Sequence, residues 1–269
     1  MYPTIDFGLF RIGTFTICFG LGLVAVLELT LLQFRRLRLS AELQNFILPC
    51  IPIGLLVGVA TAVATETVLR GGWGALCDGR FINAINFFGW LGGFIALLCA
   101  AAIITKRSPS FLMNFFLPSV AVAQGFGRIG CFLGGCCWGR PVASSFGIVF
   151  PLGSLPYEMY GSRPIFPVQL VESAWLFVVA TLLFSVVRFD NRANLYFILV
   201  GGGRFILEFM RGDPRGEIFA GCLVSPAQCI GLILVGVGVV RYFRAKRTDR
   251  EGRQGHATTV DCHSKRRGN

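Results

Sequence analysis

The segment Gly125–Pro141, GFGRIGCFLGGCCWGRP, holds one arginine, Arg128, in the middle of an apolar run, with six glycines and three cysteines around it. A charge in such a run is expensive if the run crosses a bilayer, and by default it then marks function. The residues on either side decide whether a bilayer is involved.

They point to one. The chain has 269 residues, of which 54% are hydrophobic and 14% charged, with a mean hydropathy of +0.66. Soluble domains carry about 25% charged residues. Apolar stretches near twenty residues recur at Ile12–Phe34, Gln44–Leu69, Asn86–Thr105, Phe111–Leu133, Val168–Val187, Leu195–Met210 and Cys222–Phe243. Each can cross a hydrocarbon core roughly 30 Å thick, the sixth only barely. The first reads as a retained span, because it is long and its basic cluster, Arg35, Arg36 and Arg38, follows it. This composition excludes a soluble domain. The expected fold is an all-α polytopic membrane protein of about seven transmembrane helices. Residues 1–243 form the membrane domain, and 244–269 form a basic, disordered cytoplasmic tail with affinity for anionic membrane lipids.

Orientation follows from lysine and arginine. With seven spans, sixteen basic residues fall on the side of the C-terminus and seven on the other, while Arg128 and Arg204 lie within spans. The positive-inside rule then places the N-terminus outside and the C-terminus in the cytoplasm. The tail's charge comes with no nucleic-acid-binding fold and no aromatic interleaving, so nucleic acid is not an expected partner.

Of the ten cysteines, Cys18, Cys50, Cys99 and Cys229 sit in apolar spans, where cysteine behaves as a small hydrophobe. Cys131, Cys136 and Cys137 form the one cluster. The only histidines, His256 and His263, lie in the tail. Three ligands are fewer than a structural metal site uses, so neither a metal nor another cofactor is expected. A vicinal Cys136–Cys137 disulfide, plain packing and a local redox role all stay open for the pair.

The charges within spans are Glu28, Glu66, Arg128, Glu172, Arg204 and Glu208. Glu28 and Glu66 lie near span ends with Arg35, Arg36 or Arg70 in reach, which suits snorkelling or pairing. Arg204 and Glu208 stand four apart in GGGRFILEFMRGDPRG, on one helix face and behind three glycines. The bland reading is an ion pair that pins packing. The functional one is an arginine held by a glutamate, ready for an anion. Arginine keeps its charge and offers a planar fork, so two of them near an interface imply phosphate or carboxylate, and in a membrane a phospholipid headgroup.

These residues resemble a known family, the bacterial prolipoprotein diacylglyceryl transferases. GFGRIGCFLGGCCWGRP is similar to that family's G-R-hydrophobic-G-N-F segment, which ends in aromatic-G-R. FPVQLVES is similar to its H-P-S-Q-L-Y-E segment. GGGRFILEFMRGDP is similar to its aromatic-G-x-F-R-F-x-x-E-F-F-R segment. The three occur in family order and spacing. The resemblance implies transfer of diacylglyceryl from phosphatidylglycerol to the lipobox cysteine thiol of a prolipoprotein signal peptide, with release of glycerol phosphate, in the bacterial cytoplasmic (inner) membrane. It implies Arg128, Arg204 and Glu208 as catalytic residues. Arg128, Cys131, Gly139, Gln169 and Glu172 are implied as substrate-binding, and Pro167 matches the proline of the second segment.

The chain departs from the pattern at four places. Cys131 stands where the family has asparagine, Phe88 at the histidine of an H-G-G segment, Phe19 at a tyrosine, and Phe166 at the histidine of the second segment. No membrane-embedded histidine is left. A catalytically silent lipid- or lipopeptide-binding homologue is therefore a second expectation. A membrane thiol-redox protein and a transporter follow it.

Overall fold

The expected apolar runs fall on helices. In the computed structural model, residues 4–6, 8, 11–69, 87–143, 145–213 and 224–266 are described. The helices are α1 (Thr14–Leu37), α2 (Ala41–Leu69), α3 (Phe87–Thr105), α4 (Pro109–Gly134), a short α5 (Leu155–Tyr160), α6 (Val168–Ser185), α7 (Arg192–Glu208) and α8 (Pro226–Arg266). In a bilayer every backbone N–H and C=O must be satisfied inside its own element, so apolar runs of this length have helix as their one local solution. For the same reason α2 tolerates Pro49 and Pro52, and α4 tolerates Pro118, within the helix.

Among the described residues, five helices are long and apolar enough to span: Thr14–Leu37, Ala41–Thr61, Pro109–Gly134, Val168–Ser185 and Ala227–Arg247. Gly92–Ile104 of α3 is shorter. Helix α7 has 17 residues and carries Arg192, Arg204 and Glu208. The protein is a multi-pass helical membrane protein, and its seven-span count stays an expectation that rests on α3 and α7.

Two details go beyond the sequence reading. Beside the helices, β1 (Thr4–Asp6) pairs antiparallel with β2 (Arg11–Gly13), with Ile5 opposite Ile12. An Asp6–Arg11 ion pair at 2.9 Å closes this hairpin. The segment expected to be an irregular tail continues α8 to Arg266. The expectation of disorder over 244–269 rests on charge; the helix there is compatible with Ala245, Lys246, Arg247, Glu251 and Gln254, which are good helix formers, and with the absence of a proline after Pro226.

The chain divides into two compact units, Ala25–Phe116 and Met1–Val24 with Leu117–Asn269. The first is packed around Ile47, Leu98, Leu112, Phe115 and Phe116, all nearly solvent-free. Inside it the Gln33 side-chain amide donates to the Phe115 carbonyl at 2.9 Å. The second unit holds the charged segments. There α7 and α8 cross at glycines: a Cβ on Gly201 would lie 2.6 Å from the Gly231 carbonyl oxygen. Small residues at such a crossing let backbones approach, as membrane helices require where no hydrophobic force drives them together.

Beyond α4 the second unit carries a non-helical layer. Isolated bridges join Gly139 to Arg211, and Ile165 to both Pro141 and Ile148. Trp138, Phe150 and Ile165 form its small core, with Phe132 and Tyr160 against it.

Candidate functional site

Helix α6 is buried along one stripe, Gln169, Glu172, Ser173, Leu176, Val179, Ala180 and Leu183. The spacing is helical, and the polar residues sit at the N-terminal end of the stripe. Two contacts fix that end. The Ser173 hydroxyl donates to the Gly125 carbonyl of α4 at 2.9 Å. The Trp175 indole donates to the Leu199 carbonyl of α7 at 3.1 Å, and its ring packs where Gly203 has no side chain. Glu172 is thereby set between Arg128 of α4 and Arg204 of α7.

The result is a chain of four charges. Arg128 Nη2 lies 3.1 Å from Glu172 Oε1. Arg204 Nη1 lies 3.2 Å from Glu172 Oε2. Arg204 Nη2 lies 3.2 Å from Glu208 Oε2, the pairing that the four-residue spacing predicts. The four side chains are between 5% and 15% exposed, which makes this an interior network in which each charge depends on its partners. The Ser225 hydroxyl donates to Glu208 Oε1 at 3.0 Å. Ser225 also caps α8: its N–H donates to Gln228 Oε1, and the Gln228 N–H donates to its hydroxyl.

A third arginine completes the cluster. Arg211 makes a two-pronged contact with Asp213, both bonds 2.9 Å, and is close enough to Arg128 and Arg204 to interact electrostatically with both. Burial alone would weaken the Arg211 guanidinium's hold on its proton. The Asp213 carboxylate, with Cys137 and Glu172 nearby, outweighs burial and keeps that group above its ordinary pKa. Sequence reading placed Arg211 among the loop charges and passed over Asp213 and Ser225. The signal for Arg211 was present, as the arginine that closes the third family-like segment.

Gly139 and Gln169 act on this cluster through the backbone. A Cβ on Gly139 would collide with the Phe166 carbonyl and lie 3.0 Å from that of Met210. Three segments are laced there: the Arg140 N–H donates to Met210, Gly212 to Trp138, and Phe166 to Arg140. Gln169, 1% exposed, donates to the Cys136 carbonyl at 2.9 Å. Gly139→Ala is expected to cost about 1–3 kcal/mol, because only backbone can yield, and to displace Arg211. A detergent melting curve beside an activity assay checks this; an unchanged midpoint and rate would show that the lacing is slack.

Cys131, Cys136 and Cys137 are free thiols, and their sulfurs lie within 4.8 Å of one another. No disulfide joins Cys136 to Cys137 in this structure. Hydrogen bonding to Cys131 and Cys136, and then the Arg211 and Arg128 guanidiniums, pull the Cys137 thiol below its ordinary pKa. Hydrogen bonding to Cys131 and Cys137, with burial, pushes Cys136 up. Glu28 is exposed on α1; the side chains of Glu66 and Phe88, and Arg70 as a whole, lie outside the described residues.

Helical spans around an internal cluster of arginines and carboxylates define a multi-pass membrane protein with an ionic site. A family model described as prolipoprotein diacylglyceryl transferase matches residues 3–244. The chain is 30% identical over 243 residues to phosphatidylglycerol–prolipoprotein diacylglyceryl transferase 2 of Clostridium perfringens, covering 88% of this chain and 91% of that one. It is 38% identical over 132 residues to the Clostridium tetani enzyme, covering 48% and 51%. It is 35% identical over 160 residues to the Pseudomonas putida enzyme, covering 55% and 58%. The chain belongs to the prolipoprotein diacylglyceryl transferase family.

Proposed function

We propose that this transferase moves the diacylglyceryl group of phosphatidylglycerol onto the lipobox cysteine thiol in the signal peptide of a prolipoprotein, in the bacterial cytoplasmic (inner) membrane. The supporting observation is the buried Arg128–Glu172–Arg204–Glu208 chain in a member of a family whose relatives carry that activity in their names. In the reaction the thiol sulfur forms a bond to the terminal glyceryl carbon. The carbon–oxygen bond to phosphate breaks, and glycerol phosphate leaves. The thiol proton ends on the leaving phosphate or on water.

The arginines serve the departing phosphate. Charge grows on its oxygen as the bond breaks, and fixed donors in a dry site stabilise that charge without reorganising. Arg128 and Arg204 are balanced by Glu172 and Glu208, so the empty site is neutral and tolerable in the membrane. Each guanidinium still has donors to spare. Arg204 Nε is buried without an acceptor, and we assign it to a phosphate oxygen. Gly139 and Gln169 position this cluster, and Cys131, in the last turn of α4, lines the lipid's path.

Purified protein, labelled phosphatidylglycerol and a lipobox peptide provide the test. Thioether-linked diacylglyceryl peptide is the expected product. Bound but unconverted lipid would instead mark a silent binding homologue, the reading that the missing histidine favours. The proposed orientation has its own check. A reporter after Asn269 should read cytoplasmic, and one within Gly153–Ser162 extracytoplasmic; the reverse pattern overturns it.

A further inference from the structure

The three cysteines at the end of α4 make and break no bond in the proposed transfer, yet the turn that carries them is built to converge. Helix α4 ends at Gly134. Gly135 then takes a left-handed φ of 72°, and so does Cys137, at 59°. A non-glycine residue in that region costs energy and persists only where its surroundings hold it. The surroundings are visible. The Cys136 N–H donates to the Cys131 carbonyl at 3.0 Å, and Gln169 from α6 donates to the Cys136 carbonyl at 2.9 Å. The reversal folds Cys136 and Cys137 back over Cys131, one helical turn earlier, and brings three sulfurs within 4.8 Å of one another. Packing alone gives no reason to converge three thiols at a left-handed cysteine.

We propose that Cys131, Cys136 and Cys137 bind a thiophilic divalent cation, zinc in the cell, through three thiolates with a fourth position open. Zinc–sulfur bonds of about 2.3 Å put the sulfurs of one tetrahedral site roughly 3.8 Å apart, so contraction from the present spacing is small. Soft thiolate ligands select such an ion over magnesium or calcium. Binding releases three protons, one from each thiol, and leaves a cation–trithiolate unit with one net negative charge. Arg128 and Arg211, which interact electrostatically with Cys137, offset that charge. Affinity should rise with pH, because protons compete for the sulfurs. The sequence reading expected no metal here because three thiols, with both histidines in the tail, are one ligand short of a closed structural site; a site that keeps its fourth position open does not need that ligand.

The test uses the full chain, reduced, in detergent. Cadmium chloride is titrated and thiolate-to-metal charge-transfer absorption is followed in the ultraviolet, and zinc chloride is then used as competitor. One equivalent per chain is expected, displaced by zinc. Cys131→Ser, Cys136→Ser and Cys137→Ser should each weaken binding by about 100-fold or more, since losing even a residue that merely orients a ligand costs 10–100-fold. Cys229→Ser should leave it unchanged. A second measurement needs no variant: zinc should protect these three cysteines, and not Cys229, from alkylation in the unmodified protein. Absence of saturable absorption, absorption insensitive to the three substitutions, or equal alkylation with and without zinc would each overturn the proposal.

Discussion

Arg128→Gln is expected to lower turnover by a factor on the order of 10²–10³, the cost of deleting one fixed donor at a developing oxyanion, while folded protein still accumulates in the membrane. The structure explains why folding survives. Arg128 has one carboxylate partner, Glu172, at 3.1 Å, and Glu172 keeps Arg204 at 3.2 Å when Arg128 is gone. A glutamine amide can still donate one hydrogen bond to Glu172. What disappears is the cation that the proposed mechanism assigns to the phosphate. Arg128→Lys separates charge from shape: it restores the cation but not the planar fork, so it should recover only part of the loss. Turnover is measured beside thermal unfolding in detergent, with and without phosphatidylglycerol. Near-normal turnover in Arg128→Gln, with unchanged stabilisation by the lipid, would make Arg128 a packing charge and remove the basis of the proposed phosphate site.

Part of this site was open to sequence reading, for physical reasons that differ from residue to residue. Arg204 and Glu208 could be paired because the helix fixes which residues share a face, and their four-residue spacing is local information. Arg128 stood out because a lone charge in an apolar run needs a partner. The partner itself, Glu172, belongs to a third helix, and its place between the two arginines depends on Ser173 reaching Gly125 and on Trp175 filling the gap at Gly203. Those contacts are long-range and no periodicity encodes them. Arg211 was passed over, and the geometry of the cysteine cluster was out of reach, for another reason. Each lies where the chain leaves a helix, and there single dihedral choices at Gly135 and Cys137 decide what meets what. Apolar length located the helices well. At the end of α8 charge and helix propensity pull in different directions, and there apolar length gives no boundary; the helix runs on to Arg266.

Glu172→Gln is expected to be the most destabilising single change in the site, and also the one most responsive to lipid. The glutamate is the shared acceptor of two buried guanidiniums. Its replacement leaves Arg128 without a carboxylate and Arg204 with Glu208 alone, so a neutral foursome becomes a cluster of charge +1. Removing one partner of a buried ion pair typically costs about 3–5 kcal/mol, because the remaining charge stays desolvated. The amide oxygen can still accept one hydrogen bond, which places the expected loss at the lower end. An uncompensated cation attracts an anion. Phosphatidylglycerol should therefore raise the unfolding temperature of Glu172→Gln more than that of the unmodified protein, whereas a zwitterionic phospholipid should raise both alike. Turnover moves the other way: apparent KM for the lipid falls, since the phosphate no longer competes with a carboxylate for Arg128, and kcat falls because Arg128 and Arg204 lose the anchor that aims them. This split separates two roles for Glu172. A purely structural glutamate would lower stability with no preference for anionic lipid, and every lipid would rescue it equally. Equal rescue would show that the arginines do not face a phosphate.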